Sequence, residues 1–158
     1  MDRLWAPWRI NYVSIKKRPR GCIFCRAKKN NLNDYVIFKA KSSICLLNIY
    51  PYNNGHILIS PLRHISDISQ LKEDEILDIF RSLNRAKALL KKVLKPQGYN
   101  IGLNLERAAG AGITGHLHFH LVPRWFGDTN FMPSISGNKV ISQSLDELLK
   151  LLKNADRL

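Results

Sequence analysis

His116-Leu117-His118-Phe119-His120-Leu121-Val122 alternates polar and apolar side chains over seven residues, the period of an extended strand with one buried face. Side chains two residues apart on a strand share a face, so three imidazoles project one way at roughly 7 Å intervals while Leu117, Phe119 and Leu121 face a core. Three polar rings on one face without a joint role would cost several kcal/mol wherever they are buried unpartnered. The array therefore points to chemistry. Two kinds remain open on the residues alone: metal binding, or a nucleophilic imidazole flanked by groups that set its tautomer and contact an anion.

Upstream runs Arg107-Ala108-Ala109-Gly110-Ala111-Gly112-Ile113-Thr114-Gly115. Its glycines let backbone N–H groups of Gly110, Ala111, Gly112, Ile113 and Thr114 approach a phosphate. No Gly-Lys-Ser/Thr follows and no G-x-G-x-x-G enters a helix, which excludes a P-loop and a dinucleotide fingerprint. Further back, Tyr99 to Asn104 alternates as a strand. From about Ser69 to Leu94, the apolar residues Leu71, Ile76, Ile79, Phe80, Leu83, Ala86, Leu90 and Val93 recur at three and four, the pattern of one long amphipathic helix closed by Pro96 and Gly98.

Before that helix, Val36-Ile37-Phe38, Ser43 to Ile49 and His56 to Ser60 read as strands, the last ended by Pro61. The turn formers between the latter two, including Asn54-Gly55, predict a hairpin. Downstream of the histidines, Pro123 is expected to stop the strand, and Leu145, Leu148, Leu149 and Leu152 mark a short terminal helix capped by Ser144 or Ser142. The expected class is α+β with a mainly antiparallel sheet.

The chain has 158 residues, long enough for one domain spanning 1–158. Lys plus Arg is 25 against 12 for Asp plus Glu, a formal charge of +13, so the expected partners are anionic. Residues 1–41 carry nine of those net charges, and 1–35 form a basic extension containing Trp5, Trp8 and two cysteines that packs on the domain or on a second subunit. Its densest run, Lys16-Lys17-Arg18-Pro19-Arg20, is compatible with phosphate contacts but reads first as a solvated segment, so nucleic acid is the lesser expectation. No apolar run spans a membrane and no leader is evident, giving a cytoplasmic expectation. Cys22, Cys25 and Cys45 are too few for a disulfide scaffold, whereas Cys22-Ile23-Phe24-Cys25 has the short spacing of two thiolate ligands for a structural zinc.

The histidine strand, together with Leu4-Trp5-Ala6-Pro7-Trp8-Arg9, Cys22-Ile23-Phe24-Cys25, Asn48-Ile49-Tyr50-Pro51-Tyr52-Asn53-Asn54-Gly55-His56 and Val122-Pro123-Arg124-Trp125-Phe126-Gly127-Asp128-Thr129-Asn130-Phe131-Met132, resembles the histidine-triad (HIT) superfamily of nucleotidyl hydrolases and transferases. Within it, the likeness is to the microbial branch of diadenosine tetraphosphate phosphorylases and hydrolases, and extends to about Pro133. The resemblance implies a five-stranded sheet with one long helix and a short C-terminal helix. It also implies a two-fold dimer, whose interface would suit Trp5, Trp8 and Trp125.

By this resemblance His118 attacks the α-phosphorus, forms a nucleotidyl-histidine and expels ATP, after which inorganic phosphate releases ADP or water releases AMP. His120 contacts the α-phosphate and His56 assists. Nucleophilicity at one nitrogen of His118 requires the other to donate a hydrogen bond, for which the His56 carbonyl is one candidate acceptor. Asn48 matches the ribose-binding position, Ile49 and Tyr50 line a base pocket, and Asn104 lies near the α-phosphate, with Trp125 among the substrate-binding residues. Two positions depart from the pattern: Gly112 stands where the family has Gln or Ser to orient the leaving group, and Glu106 where relatives carry Gly.

Zinc-bearing relatives further imply His64 and His116 as partners of Cys22 and Cys25, a structural Cys2His2 site, with two unliganded thiols or redox chemistry as the alternatives for the cysteine pair. The rival readings are catalytic zinc on the triad itself, a phosphoramidase, and a nucleotide- or nucleic-acid-binding module. A long polyphosphate leaving group gains more from a cationic pocket than an uncharged amine does, which favours the dinucleoside substrate.

Overall fold

The computed structural model describes residues 21–29, 35–128 and 141–157. Trp5, Trp8 and the run Lys16 to Arg20 lie outside the described residues, so the expectations placed on them have no structural counterpart here. The elements in chain order are α1 (Ile23–Lys28), β1 (Val36–Lys39), β2 (Ser43–Leu47), β3 (Ile57–Pro61), a 3-10 turn (Ile68–Gln70), α2 (Glu73–Leu94), β4 (Gly98–Leu103), β5 (Phe119–Arg124) and α3 (Leu145–Arg157). The five strands form one antiparallel sheet in the order β1-β2-β3-β5-β4.

Period-two alternation divides that sheet into two unlike faces. Cys45, Leu47, Ile57, Ile59 and Leu121 point to one side and join Ile79, Leu83, Ala86, Leu89 and Leu90 of α2 and Leu148 and Leu152 of α3 in the larger core. Ile44, Leu46 and Leu58, the intervening residues, point to the other side, where Phe24 and Ala27 of α1 cover them. Because β2 and β3 are covered on both sides, all five residues of each are buried. The rings of His56, His118 and His120 gather on the side of the second face, opposite the two long helices.

Four expectations need correction. Helix α2 starts at Glu73 rather than Ser69, because Asp67 caps a separate 3-10 turn and Leu71 and Lys72 are extended; Glu75 reaches back to the Lys72 N–H at 3.0 Å. Ile76 and Phe80 are exposed, since Glu75 and Ser82 occupy places in the buried stripe instead. Only Phe119 onward belongs to β5, so His116 and His118 precede the regular strand. Finally, Pro123 continues β5 rather than ending it: pairing with β3 stops at Ile57–Leu121, leaving Pro123 paired with Tyr99 of β4 alone, a one-sided position where a missing N–H costs no ladder bond.

The terminal helix is capped by Ser144, whose Oγ accepts the Glu147 N–H at 3.2 Å. It is tied to α2 by a bidentate Arg85–Asp156 pair at 2.8 Å, with the Arg85 guanidinium 4.2 Å over the Phe38 ring. Among the described residues, no helix is long and apolar enough to cross a membrane.

Candidate active site and metal centre

On the face opposite α2, β3 and β5 bring their histidines together through register. Leu58 is paired with His120 and Ile57 with Leu121, so His56 approaches His120 from the end of β3. His56 and His118 are buried, and His120 is partly so.

Hydrogen bonds fix the tautomer of each ring. The Tyr52 N–H donates to His56 Nδ1 at 3.0 Å and the Asn48 amide donates to the same atom at 3.1 Å. With Nδ1 accepting, the neutral ring carries its proton on Nε2 and donates it to His120 Nδ1 at 2.9 Å. His120 in turn holds its proton on Nε2, which is buried and has no partner among the described residues. His118 donates from Nδ1 to the His116 carbonyl at 2.8 Å, leaving Nε2 with a free lone pair. The His56 carbonyl, one candidate acceptor from the sequence, does not take this role; the acceptor is a carbonyl two residues upstream, in the irregular run before β5.

Charge states agree with this arrangement. Burial first, then the neighbouring His120 and His118, pull His56 down to about 3, and burial followed by His118 pulls His120 down to about 4. Burial also lowers His118, against the opposing bond to His116. The three rings are neutral near pH 7. One bare nitrogen and one orphaned N–H in a desolvated setting can attack an electrophile and hold an oxygen of the same group.

Residues without a sequence signal for this role complete the scaffold. Tyr52 stacks on His120, with centroids 5.6 Å apart and planes 13° apart, and lies 4.6 Å from the His56 ring. Ser60, fully buried, donates to the Leu117 carbonyl at 2.8 Å and so pins the backbone between His116 and His118. Asn53 donates to the Pro123 carbonyl and to Asp128, at 3.0 and 2.9 Å, bracing the hairpin turn against the end of β5. The motif quoted for the hairpin contains Tyr52 and Asn53, but nothing in residue type distinguished them from turn formers.

The other expected ligand residues divide. Asn48 is committed to His56 and, through Oδ1, to the Tyr50 N–H at 2.9 Å, while Ile49 and Tyr50 are exposed beside it. Asn104 follows the last β4–β5 pair and faces the glycine turn, where a Cβ at Gly110 would lie 3.8 Å from its Nδ2. Gly110 and Ala111 donate their N–H groups to the carbonyls of Arg107 and Glu106, so those amides close the loop rather than cradle an anion. Ile113 anchors the loop in the Phe24 cluster. Glu106 is exposed at φ 62°, a left-handed position that suits glycine better. Trp125 lies beyond β5 in a turn closed by Asp128, five residues past His120.

A second cluster stands beside the triad. The ligand atoms of Cys22, Cys25, His64 and His116 all lie within 4.8 Å of one another. Cys22 Sγ is 3.1 Å from His116 Nδ1, Cys25 Sγ is 3.3 Å from His64 Nδ1, and the two Nδ1 atoms are 3.2 Å apart. Tetrahedral zinc, with bonds of about 2.0–2.3 Å, requires ligand separations of about 3.3–3.8 Å. The four donors are the residue types of a structural zinc site and lie near this spacing, with these three separations at or just below its lower bound. His116 also presents the right nitrogen, because its Nε2 proton goes to the Pro61 carbonyl at 2.9 Å and Nδ1 faces the thiols bare. The His64 loop is held by Arg63, which makes two 2.7 Å contacts with buried Glu75.

Residues 29–127 match the HIT domain family, which covers the sheet, the triad and the His64 loop. The chain belongs to the HIT family. Among relatives of this HIT protein, the AP-4-A phosphorylase of Mycobacterium tuberculosis is 36% identical over 161 residues, covering 96% of this chain and 83% of that one. A Zn-bound histidine triad family protein from Mycobacterium smegmatis superposes with a TM-score of 0.71 at 25% identity, covering 87% and 94% of the two chains. A hypothetical histidine triad nucleotide-binding protein from Sulfolobus tokodaii gives 0.70 at 25% identity, covering 86% and 92%. The HIT assignment agrees with the α+β architecture and with the gathering of His56, His118 and His120 on one side of the sheet.

Proposed function

We propose that this HIT protein transfers a nucleotidyl group from diadenosine 5′,5′′′-P1,P4-tetraphosphate to inorganic phosphate, giving ADP and ATP. The observation that carries this reading is the chain of fixed tautomers: among the described residues His118 Nε2 is bare while His120 Nε2–H is unpaired. Nε2 of His118 attacks the α-phosphorus; the bond from that phosphorus to the bridging oxygen breaks, and its electron pair leaves with ATP. His120 Nε2–H donates to an oxygen of the reacting phosphate, and the amides of Gly112 to Thr114 hold the oxygens of the chain beyond. Inorganic phosphate then attacks the nucleotidyl-histidine, breaking the P–N bond and restoring His118. The M. tuberculosis relative, at 36% identity across nearly the whole chain, supports the substrate.

Water in the second step gives AMP instead. Gly112 favours this second reading, since it offers no side chain to guide an acceptor or leaving group. Products from diadenosine tetraphosphate, separated by anion exchange with and without phosphate, decide: phosphate-dependent ADP plus ATP marks a phosphorylase, AMP plus ATP a hydrolase, and no turnover refutes both.

The reading includes zinc held by Cys22, Cys25, His64 and His116, as the ligand geometry and the Zn-bound relative support. The ion would crosslink α1 to the loops carrying His64 and His116, and catalysis stays with His118. It also includes a two-fold dimer in the cytoplasm, for which the exposed Ile76, Leu77 and Phe80 of α2 offer apolar surface; light scattering tests the dimer.

A further inference from the structure

Helix α1 has six residues, and its N-cap Cys22 makes no side-chain capping bond. A helix so short has no stability of its own. It is held by Phe24 and Ala27 in the small cluster on the histidine face and, at both ends of its first turn, by the thiols of Cys22 and Cys25. Phe24, between those thiols, is 1% exposed and touches both ligand and nucleophile: its ring centroid is 5.0 Å from His116 and 5.2 Å from His118, with planes 51° and 32° apart. The other ligand, His116, supplies the carbonyl that accepts the His118 Nδ1–H.

We propose that the Cys22/Cys25/His64/His116 centre positions the nucleophile through two contacts, the Phe24 ring that walls the His118 imidazole and the His116 carbonyl that receives its Nδ1–H. This rests on the reading of His118 as nucleophile. Phe24 is a positioning residue, since it reaches no reacting atom. With the metal bound, the backbone at His116 and the C-x-x-C turn are crosslinked, so the imidazole is confined from one flat side by the phenyl ring and along its edge by the carbonyl. Without the metal, α1 keeps only two buried side chains, and both constraints loosen together.

The test uses the full chain, 15N-labelled at histidine and loaded with Zn2+, and follows ring N–H protons by NMR. His118→Asn identifies the His118 signal, and the His56 Nε2–H, on the far side of His120, serves as the internal control. In metal-loaded Phe24→Leu, which keeps bulk but no ring, solvent exchange of the His118 N–H is expected to quicken by about tenfold or more, with the His56 signal and zinc content unchanged. Chelation of the wild type should have the same selective effect. Phe24→Ala should lower kcat more than it raises KM, with Phe24→Leu between it and wild type. If His118 exchange in metal-loaded Phe24→Leu matches wild type, the proposal is overturned; this arm decides even if chelated protein or the Ala variant unfolds. Failure of the proposed function appears elsewhere, as turnover that survives His118→Asn, and leaves the NMR result intact.

Discussion

His56 Nε2 donates to His120 Nδ1 across 2.9 Å, and that single bond fixes the His120 proton on Nε2. Asn48 and Tyr52 set the donor by occupying the opposite nitrogen of His56. His56→Leu removes the bond while retaining apolar bulk. Loss of one such hydrogen bond, about 1–1.5 kcal/mol, predicts a fall in kcat of about tenfold. Steady-state kinetics check this; an unchanged kcat would mean that His120 orients itself.

Acid should weaken the fold and the site together. His56 and His120 have folded values near 3 and 4, against 6.5 for free histidine, with burial the largest cause in each. Between those limits the unfolded chain binds more protons, so stability is full above about pH 6.5 and declines as pH falls toward 3. Urea midpoints from pH 7.5 to 4 should fall with pH in that window. The acid limb of kcat/KM is expected below the ordinary histidine range; a limb at 6.5 would contradict the buried neutral triad.

Metal uptake should show the opposite face of the same chemistry. Burial and then the neighbouring Cys22 push the Cys25 thiol up, so loading must displace its proton and zinc affinity should drop as pH falls. Titration with a chelator competitor at pH 6 and pH 8 checks the direction. Glu75→Gln, which breaks the carboxylate pair holding Arg63 beside His64, should weaken zinc binding and lower stability by about 1–3 kcal/mol.

Two glycines should respond oppositely to a side chain. Among the described residues nothing lies within 4 Å of a Cβ built on Gly112, and its φ is outside the left-handed region, so Gly112→Gln should leave the melting temperature unchanged while raising the ratio of phosphorolysis to hydrolysis. At Gly55, φ is +76° and a Cβ would sit 2.6 Å from Leu94 Cδ1. Gly55→Ala should therefore cost about 1–3 kcal/mol in thermal unfolding.

The strands, the long helix and the terminal helix were legible because their burial repeats at two or at three and four, and because the histidines sit among apolar partners that fix the face they share. What was hidden follows from contacts between distant segments. Phe24 reads as part of a cysteine motif, and only the fold of α1 onto the sheet brings it to His118. Ser60 reads as a strand residue, and only the end of β3 brings it to Leu117. Pro123 reads as a stop, yet the unequal lengths of β3 and β4 leave it a tolerated place. The His116 carbonyl could not be singled out either, since the choice among acceptors depends on how the chain bends before β5.

The central claim is that His118 becomes covalently nucleotidylated. Rapid acid-free quenching of the protein with diadenosine tetraphosphate labelled at the α-phosphorus, followed by peptide mapping, tests it directly. Label is expected on the peptide containing His118, stable to base and released by acid as a P–N bond should be, and absent from His118→Asn. Turnover without any protein-bound label, or label on a residue other than His118, would contradict it.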